Sequence, residues 1–162
     1  MHEFAPSHDP FFGEPDEATR QVLYVEDHPV NVLLMQGLLA QRPAVRLTVA
    51  DSGAEALRVA MAHPPHLLLI DLHLPDCRGA DLLERLRAVP ALARVPAVAV
   101  TADEDAHLED TSFLEAWNKP LDLYATLRRL DALLELGTGA ERAGRHAAPR
   151  SAFRGERVRG LF

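Results

Sequence analysis

The chain has 162 residues, 48% of them apolar and 25% charged, which is enough for one well-buried domain and too little for two ordinary ones. Its formal charge is −7 and unevenly spread: residues 1–20 hold five acids against Arg20, residues 137–162 hold six arginines against Glu141 and Glu156, and the centre is acidic. Cys77 is the only cysteine, so no intramolecular disulfide forms; no charged-then-apolar leader opens the chain, and its apolar stretches fall well short of the roughly 20 residues a membrane span needs. A reducing cytoplasm, with no membrane insertion, is the expected setting.

Residues 1–20 carry Pro6, Pro10, Gly13 and Pro15 and read as a disordered segment. The first predicted strand, 21–26, contains the apolar run Val22-Leu23-Tyr24-Val25 and ends in the acidic pair Glu26-Asp27. Pro29, a good first-turn residue, opens a helix that places Val30, Leu33, Leu34, Gly37 and Leu38 on one face. A second strand spans 45–50. Ser52-Gly53-Ala54-Glu55 is a capping box, and the helix it opens has Leu57, with Val59 and Met61, as its apolar positions. The third strand, 66–71, is a continuous apolar run, as expected of a strand covered on both faces, and it ends at Asp71. A helix from about Gly79 carries Leu82, Leu83 and Leu86, and a fourth strand, 95–100, leads to Thr101. The stretch from Asp103 to Ser112 is acidic with little apolar content, which predicts a short or irregular fourth helix. A short fifth strand, 115–118, runs into Lys119-Pro120, and a last helix sets Leu123, Leu127, Leu130 and Leu134 along one stripe. Residues 137–162 are rich in Arg, Gly and Ala without hydrophobic periodicity and read as a disordered tail, for which composition favours a solvated extension over contact with nucleic acid or lipid.

Short apolar runs alternating with helical patterns between residues 21 and 136 predict one α/β domain with a five-stranded, doubly wound parallel sheet. In such open sheets the ligand site lies outside the carboxyl ends of the strands, and Glu26, Asp27, Asp71 and Thr101 all fall there. Clustered carboxylates repel unless a cation sits among them. Oxygen ligands alone suit a hard ion such as magnesium, which binds through one or two carboxylates plus a phosphoryl oxygen. The eight histidines carry no comparable signal: His63-Pro64-Pro65-His66 is a proline-stiffened turn, and no His-Cys-Asp spacing resembles a zinc site.

These residues resemble the receiver domain of two-component response regulators. The match covers roughly residues 21–136 and rests on Glu26-Asp27-His28-Pro29-Val30-Asn31, Asp71-Leu72-His73-Leu74-Pro75, Thr101-Ala102 and Lys119-Pro120, in that order, with Asp27 and Asp71 44 residues apart. The resemblance implies the chemotaxis-regulator-like, flavodoxin-like fold with strand order 2-1-3-4-5. It implies Asp71 as phosphoacceptor, attacking a phosphohistidine of a sensor histidine kinase or histidine phosphotransfer protein. It further implies magnesium bound by Asp27, by Asp71, by Glu26 through water and by the backbone carbonyl of His73, with Lys119 and the Thr101 hydroxyl contacting phosphoryl oxygens. The family's Lys-Pro bond is cis, which Lys119-Pro120 is expected to share.

The chain departs from the family where a switch aromatic is usual, three residues before the lysine: Ala116 stands there and Trp117 follows. Trp117 is expected to be core. The expected function is a single-domain response regulator signalling through protein contacts, a phosphoacceptor and not an enzyme. One alternative is a divergent receiver that acts as an interaction module without phosphate. The other, a magnesium-dependent phosphatase with an aspartyl-phosphate intermediate, wants an acid two residues after the nucleophile, where this chain has His73.

Overall fold

The computed structural model describes residues 19–135; the segments expected to be disordered lie outside the described residues but for Thr19 and Arg20. Five strands, β1 (Arg20–Val25), β2 (Val45–Ala50), β3 (Leu67–Asp71), β4 (Ala97–Thr101) and β5 (Glu115–Asn118), pair in parallel in the order β2-β1-β3-β4-β5. Each lies within two residues of its predicted span. Parallel pairing needs crossovers, and helices α1 (Pro29–Leu39), α2 (Gly53–Ala62) and α3 (Gly79–Arg87) supply the first three. A fourth helix, α4 (Leu123–Leu133), follows β5.

Strand side chains alternate between two apolar layers. Leu23, Val25, Leu68, Ile70, Ala97 and Ala99 pack with Ala56 and Ala60 of α2 and with Leu82, Leu83 and Leu86 of α3. Val22, Tyr24, Leu67, Leu69, Val98, Val100 and Trp117 pack with Met35, Leu38 and Leu39 of α1 and with Leu127 and Leu130 of α4. Every residue of β3 and β4 is buried, which is why each is apolar up to the Asp71 or Thr101 that closes it.

The α1 face differs from its predicted one. Met35, Leu38 and Leu39 are buried, whereas Val30, Leu33 and Leu34 are 56%, 67% and 64% exposed. Only Asn31 and Gln36 of its eleven residues are polar, so the apolar pattern names no unique inward face. Met61 of α2 is likewise exposed. The capping box of α2 forms with a shift: Ser52 Oγ accepts from Glu55 N, while Glu55 Oε2 accepts from Asp51 N instead of Ser52 N. Residues 102–114, between β4 and β5, form an irregular connection with no helix, anchored by Phe113 in the core and by Leu114 N donating to Ala97 O.

Candidate metal and phosphoryl site

Parallel strands deliver their carboxyl ends to one edge of the sheet. Glu26 and Asp27 follow β1, Asp71 closes β3, Thr101 closes β4, and Lys119 follows β5. Glu26, Asp27 and Asp71 each offer a carboxylate oxygen within 4.8 Å of the others. Glu26 and Asp71 are buried and Asp27 is exposed. His63 and His66, by contrast, precede β3 at the opposite edge, where His66 Nδ1 accepts from Gln21 N.

Lys119 ties the cluster together. Its Nζ donates to Glu26 Oε2 at 2.5 Å and to Asp71 Oδ2 at 2.7 Å. Glu26 Oε2 also accepts from the Tyr24 hydroxyl at 3.0 Å and from Asn31 Nδ2 at 3.1 Å, and Oε1 accepts from His28 N at 3.0 Å. Burial pushes the Glu26 carboxyl up, but the donors from Lys119, His28 and Tyr24 hold it, on balance, below its ordinary range. Burial lowers the Lys119 ammonium, yet hydrogen bonds to Asp71 and Glu26 leave it raised. Desolvation and the neighbouring Glu26 push the Tyr24 phenol far up, so it stays a donor. One lysine offsets only one of three carboxylates. The donor set fits a hard divalent cation, with Asp27 the least encumbered ligand.

Asp71 leads into a miniature hairpin that returns at Gly79. It is closed by Gly79 N donating to Leu72 O and by Leu74 N donating to Cys77 O, the two bonds of an antiparallel bridge between His73 and Arg78. Within it, His73 N donates to Asp71 Oδ1 at 2.9 Å, which places the His73 backbone beside the carboxylate while its side chain is exposed. At the tip, Asp76 accepts from Gly53 N at 2.8 Å and Ala54 N at 2.9 Å, the first amides of α2. Thr101 is fully buried, its Oγ1 accepting from Asp103 N, and its carbonyl accepts from Lys119 N. The Lys119-Pro120 bond is cis. Trp117 is 8% exposed and packs in the α1–α4 layer, its indole N–H donating to Glu115 Oε1, while Ala116 is exposed.

Sequence reasoning named the five side chains gathered here but missed three supporting ones. The Tyr24 hydroxyl was the one visible signal, a polar group inside an apolar strand. Asn31 and Asp76 reach their partners only through the fold. Beside the cluster, a groove of about 660 Å³ between α1 and the start of α4 is lined by Asn31, Leu34, Leu38, Leu121 and Leu123 together with Tyr24 and Lys119.

The family profile of the response regulator receiver domain matches residues 22–117, more than half of the chain. The chain belongs to the response regulator receiver family. The polar-differentiation response regulator DivK of Brucella ovis is 34% identical over 84 residues, covering 52% of this chain and 68% of DivK. The receiver domain of a sensor histidine kinase from Pseudomonas aeruginosa PAO1, solved with magnesium coordinated in its active-site cleft, superposes with a TM-score of 0.66. It is 26% identical and covers 73% of this chain and 99% of its own. The phosphorylated cyanobacterial phytochrome response regulator RcpA has a TM-score of 0.63 at 26% identity, covering 75% and 98%. Receiver domains are signalling modules that take phosphoryl groups from histidine kinases or phosphotransfer proteins, and this fold carries their order 2-1-3-4-5.

Proposed function

We propose that this receiver domain accepts a phosphoryl group on Asp71 from a histidine kinase or histidine phosphotransfer protein, with magnesium as cofactor, and signals in the cytoplasm through protein contacts. The observation that carries this reading is Asp71 set among Glu26, Asp27 and Lys119 at the carboxyl edge of the sheet. Asp27 and Asp71 would hold the ion directly, Glu26 through water, and the His73 backbone carbonyl would complete the protein's share. When bound, magnesium offsets negative charge on the transferring phosphoryl group.

The remaining chemistry falls to the side chains. An Asp71 carboxylate oxygen forms the new O–P bond as the P–N bond of the donor phosphohistidine breaks, and the imidazole nitrogen keeps the electron pair. Lys119 already donates to Asp71 and turns to a phosphoryl oxygen as that group arrives. Thr101 Oγ1 accepts from Asp103 N, which leaves its own proton for another phosphoryl oxygen. Val30, Leu33 and Leu34 expose apolar surface on the helix that begins two residues after Asp27, a place for a protein donor to dock. No helix among the described residues is long and apolar enough to cross a membrane.

Incubation with magnesium and acetyl phosphate or phosphoramidate, followed by intact-mass measurement, tests the reading. One phosphoryl group should add, and neither Asp71→Asn nor Asp27→Ala should gain it. Unchanged labelling of Asp71→Asn would overturn the assignment. No labelling of the wild-type chain favours the second reading, an interaction module independent of phosphate, which the exposed Ala116 and the irregular 102–114 connection support.

A further inference from the structure

We infer that Asp76 is a positioning residue for the metal and phosphoryl site, clasping the tip of the Asp71–Gly79 hairpin to the first turn of α2. The inference rests on the function proposed above and adds a residue that contacts neither ion nor phosphoryl group.

The hairpin is pinched at both ends. At its base, a Cβ on Gly79 would lie 2.3 Å from the Asp71 carbonyl oxygen, so α3 begins flush against the phosphoacceptor's own backbone. At its tip, a Cβ on Gly53 would lie 2.4 Å from Cys77 Sγ and 3.3 Å from Asp76 Oδ1, so the tip rests directly on the α2 N-terminus. Between these ends the loop is held by two backbone hydrogen bonds, which make the His73–Arg78 bridge, and by Leu72, Leu74 and Cys77, which pack against the core but are only partly buried. Asp76 adds a two-pronged carboxylate contact to the first two amides of α2, which have no acceptor within the helix. Those amides hold its carboxyl below the ordinary range, as expected of a charge-assisted pair.

The loop carries two atoms of the site. The His73 amide fixes Asp71 Oδ1, and the His73 carbonyl is the proposed backbone ligand. Releasing the tip therefore loosens both, whereas weakening α2 elsewhere does not. Ser52 provides the contrast, because its Oγ accepts from Glu55 N in the same helix turn, a bond within α2 itself.

The experiment compares wild type, Asp76→Ala, Asp76→Asn and Ser52→Ala. Mn2+ affinity is read from the free-ion paramagnetic resonance signal, phosphorylation rate with phosphoramidate and magnesium, and thermal midpoint by circular dichroism. Asp76→Ala should bind Mn2+ about tenfold more weakly, the scale of lost outer-shell support at metal sites, and phosphorylate more slowly. Asp76→Asn, which has a single acceptor oxygen for two amides, should fall between. Ser52→Ala should lower the midpoint while keeping wild-type affinity. Amide exchange at Leu74 and Gly79, measured without metal, should quicken in Asp76→Ala alone. Wild-type affinity and exchange in Asp76→Ala, or an equal loss of affinity in Ser52→Ala, would overturn the inference. A wild-type chain that holds the loop but binds no Mn2+ overturns the metal reading first and the positioning role with it.

Discussion

Lys119 Nζ lies 2.7 Å from Asp71 Oδ2 and at the same time hydrogen-bonds the buried Glu26, so the lysine occupies the centre of the charge cluster before any phosphoryl group arrives. Lys119→Ala leaves Glu26 and Asp71 uncompensated and should cost about 3 kcal/mol in chemical denaturation of the metal-free protein. Magnesium then loses a competing cation. Its affinity should equal or exceed that of wild type, and it should raise the thermal midpoint of the variant more than that of wild type. A marked loss of magnesium binding would show that Lys119 supports the ion instead of competing with it.

Glu115 is held below the usual carboxylate range first by Arg129 and then, against burial, by the indole N–H of Trp117. A carboxyl depressed in the folded state contributes stability above its unfolded pKa and loses it as pH falls through the folded one. The emission of Trp117, the only tryptophan, should therefore change with a midpoint below about 4.3, the unperturbed glutamate value. Glu115→Gln should abolish that transition. Iodide quenching should be low with and without beryllofluoride, since the ring is a core element; strong quenching that falls on activation would make Trp117 mobile.

Two glycines should respond in opposite directions. Gly79→Ala drives a Cβ into the Asp71 carbonyl and to 2.9 Å from Leu72 Cα, backbone atoms that cannot swing aside. A loss of about 2 kcal/mol is expected, together with weaker metal binding. Gly37, inside α1 with nothing within 4 Å of its absent Cβ, should gain about 1 kcal/mol as alanine. Urea titration of both variants checks the pair.

Arg42 reaches Asp131 through two hydrogen bonds of 2.7 and 2.8 Å and so ties the turn between α1 and β2 to α4. Both side chains are about a third exposed, so a double-mutant cycle with Arg42→Ala and Asp131→Ala should return a coupling of about 1 kcal/mol, the upper end for bidentate surface pairs. Magnesium affinity should not move.

The sheet was legible because β3 and β4 are buried on both faces and are correspondingly apolar up to Asp71 and Thr101 at their carboxyl ends. Glu26, Asp27, Asp71 and Thr101 were legible because parallel strands put all their carboxyl ends on one edge, so strand boundaries gather them, whereas Lys119 was named only through the resemblance to receiver domains. What could not be read had no local signature. The inward face of α1 is ambiguous in a helix with nine non-polar residues of eleven. Asp76 finds its partners 22 and 23 residues away, at a contact that exists only after α2 and the hairpin have docked. The 102–114 connection has neither period, and among its acids Asp103 makes only a local turn, accepting from Asp105 N.

The helix-free link between β4 and β5 also divides the site along the chain. A protease that nicks the exposed stretch around Asp103–Asp105 would leave Glu26, Asp27, Asp71 and Thr101 on one fragment and Lys119 on the other, joined by the four-residue pairing of β4 with β5 and the packing of Trp117 and α4. The larger piece would keep every carboxylate of the cation pocket and lose its only lysine. This is the natural seam at which to split the protein into a two-part reporter, whose reassembly restores the complete charge set.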